Sequence, residues 1–290
     1  MINNVEDIKE NLKNSLENVR ENNPLTHCIT NSVTINDCAN AVLAIGGSPI
    51  MAEDEEEMEE VVEIADVLVI NIGKLSKEQI KAMNVSAAHA TKTNTPIVLD
   101  PVGAGISQLR NNTIKYLVEN NNITAIRGNI SEIKAIANII GLLNTESAAK
   151  GVDVSEDDII SRDNLEINGN LVKELAKKLD TVVIASGPLD IISNGETTIV
   201  LDNGDEMMPL ITGSGCMLTS IVGSCVAVND PFEGSILASI AMSLAGEKAR
   251  EQVDENNLGT GSFRTFLIDY LYKTNVESLI NESKIEILWN

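Results

Sequence analysis

The run Ile211-Thr212-Gly213-Ser214-Gly215-Cys216 opens an apolar stretch over residues 216–228 that contains no proline. Gly213 and Gly215 lack a Cβ, so the backbone can turn sharply there and a ligand can come close. A turn of this kind feeding a buried helix leaves free N–H groups at the positive end of the helix dipole, where an anion such as a phosphate is favoured. Gly213, Ser214, Gly215 and Cys216 are therefore the candidate anion hole. Alone, a Gly-x-Gly reads first as a tight loop that merely starts a core helix. Other polar residues change that reading. Asp100 closes the apolar run Ile97-Val98-Leu99 and is followed by the stiff turn Pro101-Val102-Gly103-Ala104-Gly105. Arg127 and Glu132 flank the start of a helix, and Ser186 ends another apolar run. Two carboxylates, an arginine and an anion-binding helix start make an inventory for phosphoryl transfer. Mg²⁺ would sit on the carboxylates, Arg on phosphate, and N–H groups on the moving γ-phosphoryl.

These residues can meet only if the chain brings its strand ends together. Val5, Ile8, Leu12, Leu16 and Val19 step by three and four, an amphipathic helix ending near Asn22-Asn23-Pro24. Continuous apolar runs at residues 67–73 and 96–99 read as strands buried on both faces of a parallel sheet. Shorter strands are expected at residues 25–30, 48–51, 124–126 and 182–188, with helices at 37–45, 131–140 and 171–179 between or after them. Asn194-Gly195 marks a hairpin between two further β segments, and helices follow over residues 230–250 and 263–271. This alternation predicts an α/β fold: a three-layer α/β/α arrangement with a largely parallel central sheet, as a single domain over residues 1–290. In such sheets the strand C-termini share one edge, where ligands bind.

Several features are expected to carry no chemistry. Residues 53–60 are acidic at every position but Met58, and helical spacing of Met58, Val61, Val62 and Ala65 makes the acids a solvated face; metal binding is the alternative. His27 reads as a packed, hydrogen-bonded histidine, and residues 144–170 as an exposed polar insertion. The loop after the first strand, Asn31-Ser32-Val33-Thr34, reads either as a binding loop or as a turn that caps the next helix. With 21 basic against 43 acidic residues, net −22, the chain lacks the charge for non-specific nucleic-acid binding. It must also hold any polyanion with amides, a few placed cations and a divalent metal. The four cysteines show no C-x-x-C spacing, and thiols of a cytosolic enzyme fit them better than disulfides. The first twenty residues do not follow a signal-peptide pattern and no apolar run reaches membrane-spanning length, so a cytoplasmic protein without membrane association is expected.

Asn31-Ser32-Val33, Ser48-Pro49-Ile50-Met51-Ala52, Asn71-Ile72-Gly73, Asp100-Pro101-Val102-Gly103, Arg127-Gly128-Asn129-x-Ser131-Glu132 and Gly213-x-Gly215-Cys216 together resemble hydroxyethylthiazole kinases, in order and over about residues 23–250. The resemblance implies a ribokinase-like fold and homotrimers with active sites at subunit interfaces. It also implies ATP- and Mg²⁺-dependent phosphorylation of the primary alcohol of 4-methyl-5-(2-hydroxyethyl)thiazole in thiamine salvage. By the same likeness, Met51 and Gly213 would contact the thiazole, with Asn31 and Val33 lining its pocket. Arg127 and Ser186 would contact ATP, and Asp100 and Glu132 would act near Mg²⁺ and the phosphates. Cys216 stands where most ribokinase-like enzymes place an aspartate base, and a cysteine there is typical of the thiazole kinases. Ser186 departs from the family's usual threonine but keeps the hydroxyl. Two other readings stay open: a ribokinase-like kinase of hydroxymethylpyrimidine or a sugar, and a non-catalytic protein that binds thiazole or nucleotide.

Overall fold

The computed structural model describes residues 4–143 and 159–290. Its strands form one nine-stranded sheet in the order β2-β1-β3-β4-β5-β6-β7-β8-β9. The strands β1 (Leu25–Ile29), β2 (Ser48–Ile50), β3 (Val67–Asn71), β4 (Ile97–Asp100), β5 (Ala125–Asn129) and β6 (Val182–Ser186) run parallel. Antiparallel pairing then adds β7 (Asp190–Ser193), β8 (Thr198–Leu201) and β9 (Ile285–Trp289). The Asn194-Gly195 turn works as its residues require: Gly195 adopts φ +87°, and Asn194 Oδ1 accepts the Glu196 and Thr197 N–H groups.

Alternate residues of each central strand enter opposite cores, which is why those strands are apolar throughout. Val67 and Val69 pack with α1 (Val5–Asn22), α2 (Ile35–Ile45), α8 (Ser214–Val226), α9 (Pro231–Glu255) and α10 (Thr260–Tyr272). Leu68 and Ile70 face the other side, with α3 (Met58–Ile64), α4 (Lys77–Thr93), α5 (Gln108–Asn120), α6 (Ile130–Ile139) and α7 (Leu165–Leu179). Two cores on one sheet are the predicted three layers. Helix α8 is buried along nearly its whole length and Gly223 lets it approach the sheet, since a Cβ there would strike Val69 Cγ2. The glycine loop is thereby held at one fixed place above the sheet.

Some expectations need correction. The polar stretch read as an insertion over residues 144–170 is not exposed throughout: residues 165–170 open α7, where Leu165, Asn168 and Gly169 are buried. Residues 144–158 of it lie outside the described residues. Gly169 is tucked beneath Leu288 and Trp289 of β9, a contact with the far end of the chain. β5 also runs three residues beyond its expected end, so Arg127 lies within a strand rather than after it. The acidic run is a solvated face as expected, with residues 55–57 exposed and Met58, Val61 and Val62 turned inward. His27 is fully buried, with Nε2 3.0 Å from the Ala52 carbonyl.

Candidate active site

The glycine loop is shaped by contacts that exclude side chains. Gly213 caps α8 at φ +91°, and a Cβ there would lie 2.6 Å from Thr34 Cγ2. Gly215 is tighter still: its Cβ would collide with Arg127 Nη1. The guanidinium thus lies against the first turn of α8, so a fixed positive charge and the free amides of the helix start share one place. Arg127 Nε donates to Ser186 Oγ over 3.1 Å, across neighbouring strands β5 and β6.

Arg127 and the opening of α8 line a cleft of about 550 Å³. Arg127, Ser186, Asp190, Ser214 and Gly215 line its polar end, and Leu218, Met208 and Met242 supply apolar wall. Asp190 is buried there, and burial pushes its carboxyl up to about 6, although the Gly187 N–H and the Arg127 charge both pull it down.

Asp100 lies at the centre of a buried polar cluster. Its Oδ2 accepts from Asn71 Nδ2 (2.9 Å) and Thr219 Oγ1 (2.7 Å), while Oδ1 has no partner in the protein. Burial holds the acid well above the ordinary carboxylate range; Arg127 opposes that shift and Glu132 adds to it. Glu132 is fixed differently. Its Oε1 accepts the Gly103 N–H and its Oε2 the Asn129 N–H, each at 2.8 Å, while Asn129 Oδ1 accepts the Glu132 N–H. This reciprocal cap starts α6 and also fastens the turn after Asp100 to it.

Cys216 faces the same cluster. Its Sγ is 3.3 Å from Asn71 Nδ2 and 3.5 Å from Asn31 Nδ2, and the Thr34 hydroxyl also bonds to it. Burial raises the thiol's pKa first, and the nearby Asp100 raises it further; the three hydrogen bonds offset this only in part. The group is a thiol at neutral pH.

Of the residues expected at the acceptor, Asn31 touches Cys216 and Gly213 lies against Thr34 of the same loop. Asn31 Nδ2 also donates to Asn71 Oδ1 (3.2 Å), and its Oδ1 accepts the Val33 N–H (3.1 Å). The loop turns the chain into α2 through the Asn31 carbonyl and side chain, with no side-chain cap on the helix itself, and leaves the Asn31 amide beside Asn71 and Cys216. Val33 is 70% exposed. Met51 follows β2, half-buried, and packs on the core that holds Ile211 and Met217.

Four participants were not singled out from their residue types. Asn71 bonds to Asp100, Asn31 and Cys216 at once. Thr219 and Thr34 bond to Asp100 and Cys216. Arg110 donates to the Ile72, Gly73 and Val102 carbonyls, tying the turns after β3 and β4 together. Asn71 had a legible signal, a polar residue ending a fully buried strand, as Asp100 does in β4.

The hydroxyethylthiazole kinase family profile matches residues 16–277. A hydroxyethylthiazole kinase of Methanobrevibacter smithii is 65% identical over 92% of this chain and 93% of its own length. The solved hydroxyethylthiazole kinase of Pyrococcus horikoshii superposes with TM-score 0.85 at 33% identity, covering 96% of this chain and 99% of that one. A ribokinase-like protein of Enterococcus faecalis shares the fold alone, with TM-score 0.57 and 14% identity over 91% of this chain and 94% of its own. Matched along nearly its whole length and carrying this cluster where the parallel strands end, the chain belongs to the hydroxyethylthiazole kinase family.

Proposed function

We propose that this protein transfers the γ-phosphoryl group of ATP to the primary alcohol of 4-methyl-5-(2-hydroxyethyl)thiazole, as a cytoplasmic enzyme of thiamine salvage. The observation that carries the reading is Arg127 pressed against Gly215 at the opening of α8, in a chain of net −22. In so acidic a protein, a guanidinium fixed beside free helix amides is a dedicated anion seat. Arg127 and Ser186 bind the ATP phosphates, and the amides of Ser214, Gly215 and Cys216 hold the γ-phosphoryl as negative charge spreads over its oxygens. Asn31, Val33, Met51 and Gly213 hold the thiazole so that its hydroxyl meets the phosphorus in line.

Cys216 lies at the meeting point and orients the hydroxyl. Its raised pKa makes it a poor base, which a loose phosphoryl-transfer transition state tolerates because the alcohol can lose its proton late. Among the described residues no group of three or more His, Cys, Asp or Glu is placed to hold a metal unaided. Two carboxylates suit Mg²⁺, which keeps several waters and is bound largely through substrate phosphates. The partnerless Oδ1 of Asp100 fits a cation's need for a hard oxygen, and Glu132 adds a second carboxylate. Asp100 and Glu132 would hold the ion, which would neutralise phosphate charge.

We further infer a homotrimer with the acceptor site at the interface and the whole chain acting as one catalytic unit. Val33 supports this, since an apolar side chain 70% exposed beside Asn31 needs cover to line a pocket. The deciding experiment is ADP release with the thiazole alcohol, hydroxymethylpyrimidine and small sugars as acceptors, alongside light scattering. Turnover fastest with the thiazole alcohol is expected. Faster turnover of another acceptor, or binding with no ADP release, overturns the reading; an active monomer overturns the interface site.

A further inference from the structure

One wall of the nucleotide cleft is the loop after β8, where Asn203, Gly204, Asp205, Glu206, Met208 and Pro209 all contribute lining. The far half of the loop is seated by Met207, which is buried in the core, and by Met208, which packs on the same core beside Gly246 of α9. Its near end, at β8, is fixed by the side chain of Asn203, which is 6% exposed and has its hydrogen-bonding groups engaged. Its Nδ2 donates to Glu247 Oε1 of α9 and to the Glu282 carbonyl, each at 3.1 Å. Its Oδ1 accepts the Lys284 N–H at 2.7 Å. Glu247 Oε1 also accepts the Gly204 N–H (3.0 Å), where the backbone doubles back at φ +128°. The Asp202 N–H completes the junction by donating to the Lys284 carbonyl.

Glu282 ends α11 (Val276–Glu282) and Lys284 immediately precedes β9. The family profile ends at residue 277, so the segment that Asn203 grips lies beyond the matched residues. We propose that Asn203 is a positioning residue that bolts the cleft loop to this C-terminal segment and so sets the fit of ATP. The role rests on reading the cleft as the nucleotide site. Exposed ion pairs between Arg162 and both Asp202 and Glu286 cross the same junction. Such pairs are worth little, whereas losing partners of buried amides and carbonyls is expensive.

Asn203→Asp keeps the acceptor for Lys284 but removes both donors and sets a second carboxylate against Glu247. Adding Glu247→Gln removes the clash of like charges, while its amide cannot serve both the new acid and the Gly204 N–H and the Glu282 carbonyl stays without its donor. The measurements are KM for ATP and for the alcohol, together with amide hydrogen exchange over residues 204–208, in full-length protein. The expected result for Asn203→Asp is an ATP KM raised about tenfold, the scale of one or two lost charge-linked hydrogen bonds. The alcohol KM should move far less and exchange in the loop should quicken. The double variant should recover the part of both effects that comes from charge repulsion. Equal shifts in the two KM values, unchanged loop exchange, or no recovery in the double variant overturns the proposal. A wild-type protein that binds no ATP removes the nucleotide assignment itself and the role with it. Normal wild-type ATP binding with an unaffected variant removes the role alone.

Discussion

Asn71 and Asp100 are register partners at the C-terminal ends of β3 and β4, and the Asn71 amide donates to Asp100 Oδ2 over 2.9 Å. The same nitrogen lies 3.3 Å from Cys216 Sγ, and Asn71 Oδ1 accepts from Asn31 and from the Gly73 N–H. One side chain thus links the acid, the thiol and the acceptor loop.

Asn71→Ala leaves Asp100 with Thr219 as its remaining side-chain donor and removes one partner each from Cys216 and Asn31. Loss of a hydrogen bond to a charged group is worth about 1.5–3 kcal/mol, so kcat/KM should fall about 10- to 100-fold. Steady-state kinetics check this. A variant with unchanged kcat/KM would show that the cluster is structural alone.

The two acids should respond differently to neutralisation, because their oxygens are committed differently. Asp100→Asn removes the charge beside the partnerless Oδ1, so the Mg²⁺ concentration for half-maximal activity should rise while the melting temperature holds or increases. Glu132→Gln turns one of two oxygens into an NH₂ that faces a backbone N–H, at a cost of about 1–3 kcal/mol. Its melting temperature should drop by a few degrees. Mg²⁺ titrations and thermal melts of both variants decide it; identical behaviour would contradict this division of labour.

The fold was legible wherever burial on both faces left an unbroken apolar run, as at Val67-Leu68-Val69-Ile70 and Ile97-Val98-Leu99. It was not legible where the determinant lies far along the chain. Ile285-Glu286-Ile287-Leu288-Trp289 is mostly half-buried, and becomes β9 because it pairs with β8, more than eighty residues earlier. The start of α7 was hidden in the same way: Asn168 and Gly169 break the apolar period, and Gly169 is covered by Leu288 and Trp289 of β9. In the site, the residues that carry charge or begin a glycine turn could be named. Asn71, Thr219 and Thr34 could not be given roles, because a neutral hydrogen-bonding side chain gains meaning only from the neighbour it meets.

Asp190 predicts a pH-dependent stability. Its carboxyl is raised from 3.8 to about 6 by burial in the folded protein. A raised acid favours folding while protonated, so its contribution is full below 3.8 and is lost as pH rises through about 6. Asp190→Asn should therefore be nearly neutral in strong acid and stabilising at neutral pH, by as much as about 2–3 kcal/mol. Urea unfolding of both proteins at about pH 5 and about pH 8 measures the difference. A variant advantage that shrinks as pH rises would refute the sign.

The glycine loop and Cys216 can be separated by three substitutions. General-base assistance is typically worth about 10²–10⁴-fold, but a thiol whose pKa is raised by burial and by Asp100 is mostly protonated at neutral pH and supplies little of it. Cys216→Ala should therefore retain measurable turnover, with the amides of α8 and Arg127 still in place. Cys216→Asp offers a side chain of nearly the same size, and its carboxylate can accept from the Asn31 and Asn71 amides that now face sulfur. It should be active and can exceed the parent rate, provided its charge survives the nearby Asp100. Gly213→Val acts on the frame itself. Its φ of +91° disfavours any β-branched residue, and the first carbon added would sit 2.6 Å from Thr34 Cγ2. Thr34 bonds in turn to Cys216, so the displaced loop would carry the thiol, the amides and the acceptor loop out of register. The expected order of kcat in folded protein, verified by circular dichroism, has both cysteine variants well above Gly213→Val. A dead Cys216→Ala beside a working Gly213→Val would assign the chemistry to sulfur and overturn the account of the loop.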